Sequence, residues 1–194
     1  MTEGPEIETE KLHEAIQEEM EREGGTLLKI IAVTTAIFAA IAAVAALLAG
    51  GTANEALILE TQATRLQAEA SDQWAYFQAK GIKAAVQESA RTSWLAIGKA
   101  APAQYGEAEK RYAKEQAEIA KVAKEKEHQR DEKATEAAHL LHKHHGYANS
   151  VALFQVAIAL GAVAALSRNR WIWFSSLILG LAGAALFFIT LLLR

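Results

Sequence analysis

The sequence predicts an all-α integral membrane protein with three transmembrane helices and a long antiparallel helical hairpin inserted between the first and second. Three observations predict it. Apolar residues pool in blocks at 27–49, 148–166 and 171–193; only Lys29 is charged inside any of them; and the segment between the first two blocks is rich in Ala, Gln, Glu and Lys. The bulk figures conceal this segregation, because 194 residues with 52% hydrophobic, 22% charged, a net charge of -3 and a mean hydropathy of +0.05 average over two solvents. A helix needs about 20 mostly apolar residues to cross about 30 Å of hydrocarbon, and each block has that length.

The order of elements follows. Residues 1–25 form an acidic N-terminal segment with nine Glu against Lys11 and Arg22. Leu12, Ile16 and Met20 give it a thin stripe at helical spacing, either a short docking helix or a solvated tail. Residues 26–50 are the first span, an uncleaved anchor rather than a signal peptide, since its leader is acidic and its apolar run too long. Residues 51–147 are the hairpin, with arms at about 52–97 and 103–147, carrying fourteen acidic and fourteen basic residues between Thr52 and Tyr147. Thr52 and Glu55 after Gly50 and Gly51 read as a capping box that starts a new helix. Gly98, Pro102 and Gly106 mark the turn between arms of about 65 to 70 Å. Residues 148–166 form the second span, 167–170 a tight turn, and 171–194 the third span, opened by Trp171 and Trp173 at the interface and closed by Arg194.

Arg168 and Arg170 in the turn, with Lys11, Arg22 and Lys29, place the N-terminus in the cytoplasm and the middle segment in the periplasm. Arg65, Arg130, Lys133 and Lys143 pull the other way, but long segments translocate with little regard to charge.

In the second arm, Tyr105, Tyr112, Ile119, Lys126, Lys133, Leu140 and Tyr147 recur every seven residues, a coiled-coil-like seam with lysines in its middle. Trp74 and Phe77 on the first arm stand level with the charged run 124–133, so copies of the hairpin are expected to pack together there; the simpler reading lays these rings on Lys and Arg stems of one hairpin. In the spans, small residues form series that permit close helix approach: Ala32, Ala36, Ala39, Ala43 and Ala46 in the first, Ala157, Gly161 and Ala165 in the second, Gly180 and Ala184 in the third. Thr34 and Thr35 are expected to bond to Ser175 and Ser176 within a subunit. Gln155, about 10 Å inside the opposite boundary, is expected to bond between subunits or to reach a carbonyl or water. A homo-oligomer through Ala157, Gly161, Ala165, Gln155, Trp74 and Phe77 is therefore expected.

His139, His142 and His145 share one helical face and could hold Zn, Ni or Cu; facing lipid phosphates or sensing pH, with His144, are the other readings. Without Cys there is no thiolate nucleophile and no Cys-based metal site. No phosphate loop, no nucleophile with a base and no paired buried carboxylates occur, so no enzyme and no catalytic or cofactor-binding residue is expected. Local balance of charge argues against nucleic acid and leaves membrane lipid and a protein as partners.

The stretches GGTANEALILETQATRLQAEASDQWAYFQAKGIK (50–83) and HHGYANSVALFQVAIAL (144–160) resemble an uncharacterised family of bacterial membrane proteins, domain of unknown function number forty-three thirty-seven. DQWAYFQAKGIK (72–83) is their most distinctive part. The resemblance implies a bacterial inner-membrane protein with three spans and a helical insertion, and assigns no activity. Three functions fit: a non-enzymatic scaffold or docking element that self-associates, a small oligomeric pore or transport accessory, and a metal or pH sensor built on the histidines.

Overall fold

The computed structural model describes the backbone of residues 6–192 and the side chains of residues 25–192. The stripe Leu12, Ile16 and Met20 and the closing Arg194 lie outside the described side chains. Among the described residues there are three helices and no strand: α1 (Glu6–Ala96), α2 (Ala103–Ser167) and α3 (Arg170–Leu192). Each contains a stretch long and apolar enough to cross a membrane.

Gly50 and Gly51 do not end a helix as the sequence suggested, because α1 runs through them. Thr52 correspondingly does not cap; its hydroxyl donates back to the carbonyls of Leu48 (2.9 Å) and Ala49 (3.1 Å). Glycine costs a helix interior about 1 kcal/mol against alanine, and packing at Ala49 and Ala56, both buried, outweighs it. The expected stop at Gly98 is real. Gly98 takes a φ of +72°, its N–H bonds to Leu95 O at 2.9 Å, and Lys99 N–H bonds to Trp94 O at 3.1 Å, the Schellman arrangement that a left-handed glycine permits. Gly106 lies inside α2.

The α2 to α3 link is as tight as the sequence allows. Arg168 carries a φ of +47°, and Asn169 caps α3 by accepting a 2.9 Å bond from Trp171 N–H on its Oδ1.

The chain divides into two compact units, Met1–Ala53 with Leu141–Arg194, and Asn54–Leu140. The first unit is a bundle of the three apolar stretches, cored by Phe38, Ala42, Ala45, Ala49, Tyr147, Phe154, Ala157 and Phe187. The second unit draws on α1 and α2 alone. Ala56, Leu59, Ala63, Leu66 and Ala70 of α1 are buried at alternating steps of three and four, and α2 contributes Ile119, Ala123 and Ala137. The sevenfold series of α2 predicted as a seam is buried or half-buried throughout. Contacts between the two helices run in opposite numerical order: Arg91 meets Glu109, Lys80 meets Glu115, Glu69 meets Lys126, and Arg130 donates to Gln67.

Candidate interaction site

In the bundle the helices approach closely where one of them has no side chain. A Cβ on Gly180 of α3 would overlap Cζ, Cε1 and Cε2 of the Phe38 ring of α1, and one on Gly161 of α2 would stand 2.8 Å from Thr35 Oγ1. Gly146 of α2 makes room for Thr190 of α3 in the same way. Ring contacts close the remaining space: Phe38 with Phe154 at 5.9 Å and Tyr147 with Phe187 at 5.8 Å between centroids. Ser176 Oγ donates to Ala157 O at 2.7 Å, a hydrogen bond from α3 to α2 where no water competes.

This packing places the expected self-association residues differently. Ala157 and Gly161 are buried within the chain, and Ala165 is half-buried, so that small series serves the chain's own bundle rather than facing outward. The first-span stripe Ala32, Ala36, Ala39, Ala43 and Ala46 is exposed, while Ile31, Phe38, Ala42, Ala45 and Ala49 point inward. Gln155 is exposed on α2. The span hydroxyls do not pair with one another. Thr34 and Thr35 donate to Ile31 O, Ser175 donates to Trp171 O, and Trp173 Nε1 bridges to Thr34 Oγ1 at 3.4 Å.

Five of the six histidines lie on α2, four of them between His139 and His145. His139, His142 and His145 are exposed, and among the described residues no three His, Asp or Glu side chains are gathered to hold a metal ion. His144 instead joins two helices, its Nδ1 lying 2.9 Å from Ala49 O and its ring 5.5 Å from that of His145. No spacing rule singles out His144; its signal was only the buried Tyr147 three residues on, which fixes the inward face.

In the second unit Trp74 and Phe77 form an edge-on pair with centroids 5.5 Å apart, and Trp74 Nε1 donates to Glu127 Oε1 at 2.9 Å. These rings therefore have partners within one chain, which removes the need for a second copy at that level. One turn further, Lys80 occupies an inward position. Its ammonium lies 2.5 Å from Glu115 and over the rings of Tyr76 (5.0 Å) and Tyr112 (5.6 Å). Beside it Gln116 Nε2 donates to Phe77 O at 3.2 Å, an approach that the missing side chain of Gly81 permits. Sequence reasoning missed this clamp, because nothing in spacing shows which Lys faces which Glu.

Bonding to Glu115, and then to Tyr76, holds Lys80 above its ordinary pKa, while bonding to Lys80 holds Glu115 below the usual carboxylate value. Lys126 does the same for Glu69. Both carboxylates are depressed in the folded state, so their contribution is present above their unfolded pKa and is lost as pH falls through the folded values, below 4.5. Lys80 is raised, so its contribution is lost as pH rises past 10.5. Acid titration of helicity by circular dichroism should show loss below pH 4.5, and Glu115→Gln should flatten that loss. An unchanged acid profile in the variant would refute the role of Glu115.

A family model described as Domain of unknown function (DUF4337) matches residues 27–193. No curated protein and no solved structure matches the chain.

Proposed function

Because the chain belongs to the family described as Domain of unknown function (DUF4337), a description that names no reaction, we propose its function from geometry: a non-enzymatic protein of the bacterial inner membrane that presents a helical docking element. In this reading the first unit is the anchor, crossing the bilayer three times. In the same reading the second unit is an antiparallel hairpin held outside the bilayer on the periplasmic side, and the reversed order of its contacts supports that arrangement of the arms.

The observation that carries the reading is an apolar seam without a partner in the second unit. Ala75, Ala79, Ile82, Val86, Ser89, Ser93 and Ala96 are all exposed on α1, at steps of three and four, with Ile82 at 66% and Val86 at 59% exposure. In water such a seam favours burial by about 25 cal/mol per Å², and its spacing suits another apolar-faced helix. A pore has less support, since the threonines and serines of the spans bond to backbone carbonyls rather than line a track.

The chain has no Cys, so single cysteines can map it. Ala117→Cys, exposed on α2, should react with a membrane-impermeant maleimide from the periplasmic side, and Ser175→Cys from neither side. A benzophenone attached at Ser89→Cys should give one defined adduct in cells, abolished by Ile82→Asp with Val86→Asp. An Ala117→Cys reached only from the cytoplasmic side, or from neither, would reject the topology, and an adduct indifferent to the two Asp would reject the seam.

A further inference from the structure

We propose that the outward face of α2 in the bundle pairs with the same face of a second copy of this chain, the two Gln155 carboxamides bonding to each other across a two-fold axis normal to the membrane. The pairing rests on the reading of residues 148–166 as a span.

The inward face of that stretch is already occupied. Tyr147, Ser150, Phe154, Ala157, Gly161 and Ala164 are buried, at alternating steps of three and four. Roughly opposite, Ala152, Gln155, Ala159, Ala162 and Leu166 are exposed at the same alternating steps. That 3.5-residue period is the period of a helix meeting a helix. Lipid alone asks only for apolar surface; alanine at three of these five positions brings a second backbone close enough for packing to hold it.

Gln155 identifies the occupant. Ser150, Thr34, Thr35, Ser175, Ser176 and Thr190 each donate to a backbone carbonyl. Gln155 makes no hydrogen bond among the described residues and lies about 10 Å inside the span, counting 1.5 Å per residue from Ala148. At that depth water does not serve it, and an unmet amide in hydrocarbon is costly. All copies insert with one orientation, so the group that meets Gln155 at equal depth in a second copy is its own counterpart. A carboxamide carries both donor and acceptor, and each can donate its N–H to the other's carbonyl oxygen, which closes the pair by symmetry. A polar residue in an apolar seam also fixes register, because any slip leaves two amides unmet.

The test uses the full chain in native membranes. Ala159→Cys, oxidised with copper phenanthroline, should give a band of dimer mass in higher yield than Val163→Cys, which is exposed but off the seam. Adding Gln155→Leu to Ala159→Cys should lower the dimerisation constant about fivefold, while Gln155→Asn should retain most of it. Equal yields from Ala159→Cys and Val163→Cys, an adduct of a mass other than two chains, or indifference to Gln155→Leu would each overturn the proposal. Labelling of Ala117→Cys in the same membranes reads the anchor topology separately. Periplasmic labelling with failed cross-linking sinks the pairing alone, whereas an Ala117→Cys not reached from the periplasm sinks the anchor topology on which both readings rest.

Discussion

Gly180→Ala is expected to unfold the bundle more than any other single-methyl change in the chain. The added Cβ would overlap the tip of the Phe38 ring, which the Phe154 ring of α2, with its centroid 5.9 Å away, hinders from turning aside. Overpacking a dense interior costs about 1 to 3 kcal/mol, and an overlap with a ring rather than a flexible chain end belongs at the upper limit, about 3 kcal/mol. Phe38→Ala creates the opposite defect, a void on the same spot. The two defects share one volume, so the double variant Phe38→Ala with Gly180→Ala should be more stable than the sum of the single losses by at least about 1 kcal/mol. Unfolding of the detergent-solubilised protein, followed by tryptophan fluorescence, measures the cycle. Strict additivity would mean that Phe38 does not sit on Gly180.

Phe154→Ala is expected to cost about 2 to 3 kcal/mol, at or below the lower end of the about 3 to 5 found for Phe truncations in water-soluble cores. Phe154 is fully buried, touching Phe38 of α1 and lying beside Gly183 of α3, so its loss leaves a cavity among three helices. In lipid, however, separating the helices exposes the ring to other hydrocarbon, so the transfer part of the usual cost is absent and the lost packing remains. Leu66→Ala in the second unit provides the contrast. Its side chain is 7% exposed in a helix pair read as standing in water, and both the transfer and the cavity contribution apply, about 2 to 4 kcal/mol despite the smaller side chain. If Phe154→Ala proved much costlier than Leu66→Ala in matched unfolding experiments, the assignment of Phe154 to lipid surroundings would fail.

How much of this was legible in the sequence depended on which solvent imposed the rule. Hydrocarbon tolerates no unpaired backbone, so a stretch fit to cross it has to be long, nearly uncharged and helical, and the three apolar stretches stood out by length alone. The break at Gly98 and Pro102 was equally legible, because a left-handed residue followed by a proline admits few structures. The continuity of α1 through Gly50 and Gly51 was not. Two glycines weaken a helix by about as much as one tertiary contact strengthens it, and at Ala49 such a contact comes from a distant part of the chain, His144.

The face of each span was also hidden. With alanine at nine of the 25 positions of the first span, the small-residue rule selected Ala32, Ala36, Ala39, Ala43 and Ala46, yet the face turned inward is another one, carrying Ile31 and Phe38 with Ala42, Ala45 and Ala49. The same ambiguity assigned Ala157 and Gly161 to a partner copy, when Ser176 and Thr35 of the same chain lie against them. Trp74 looked stranded among charges because sequence position alone does not show that an indole N–H can aim at one carboxylate, as it does at Glu127.

The link of Arg168 and Asn169 bears on biogenesis. With two residues between α2 and α3, there is no slack for the ribosome to deliver one and hold the other back. On the proposed membrane reading the pair would insert as a single folded-over cargo, and a nascent chain halted just past Ser167 would present α1 and α2 without α3, leaving Ala157 O without the Ser176 hydroxyl. Premature truncation there is expected to leave an incomplete bundle, not a shorter working version.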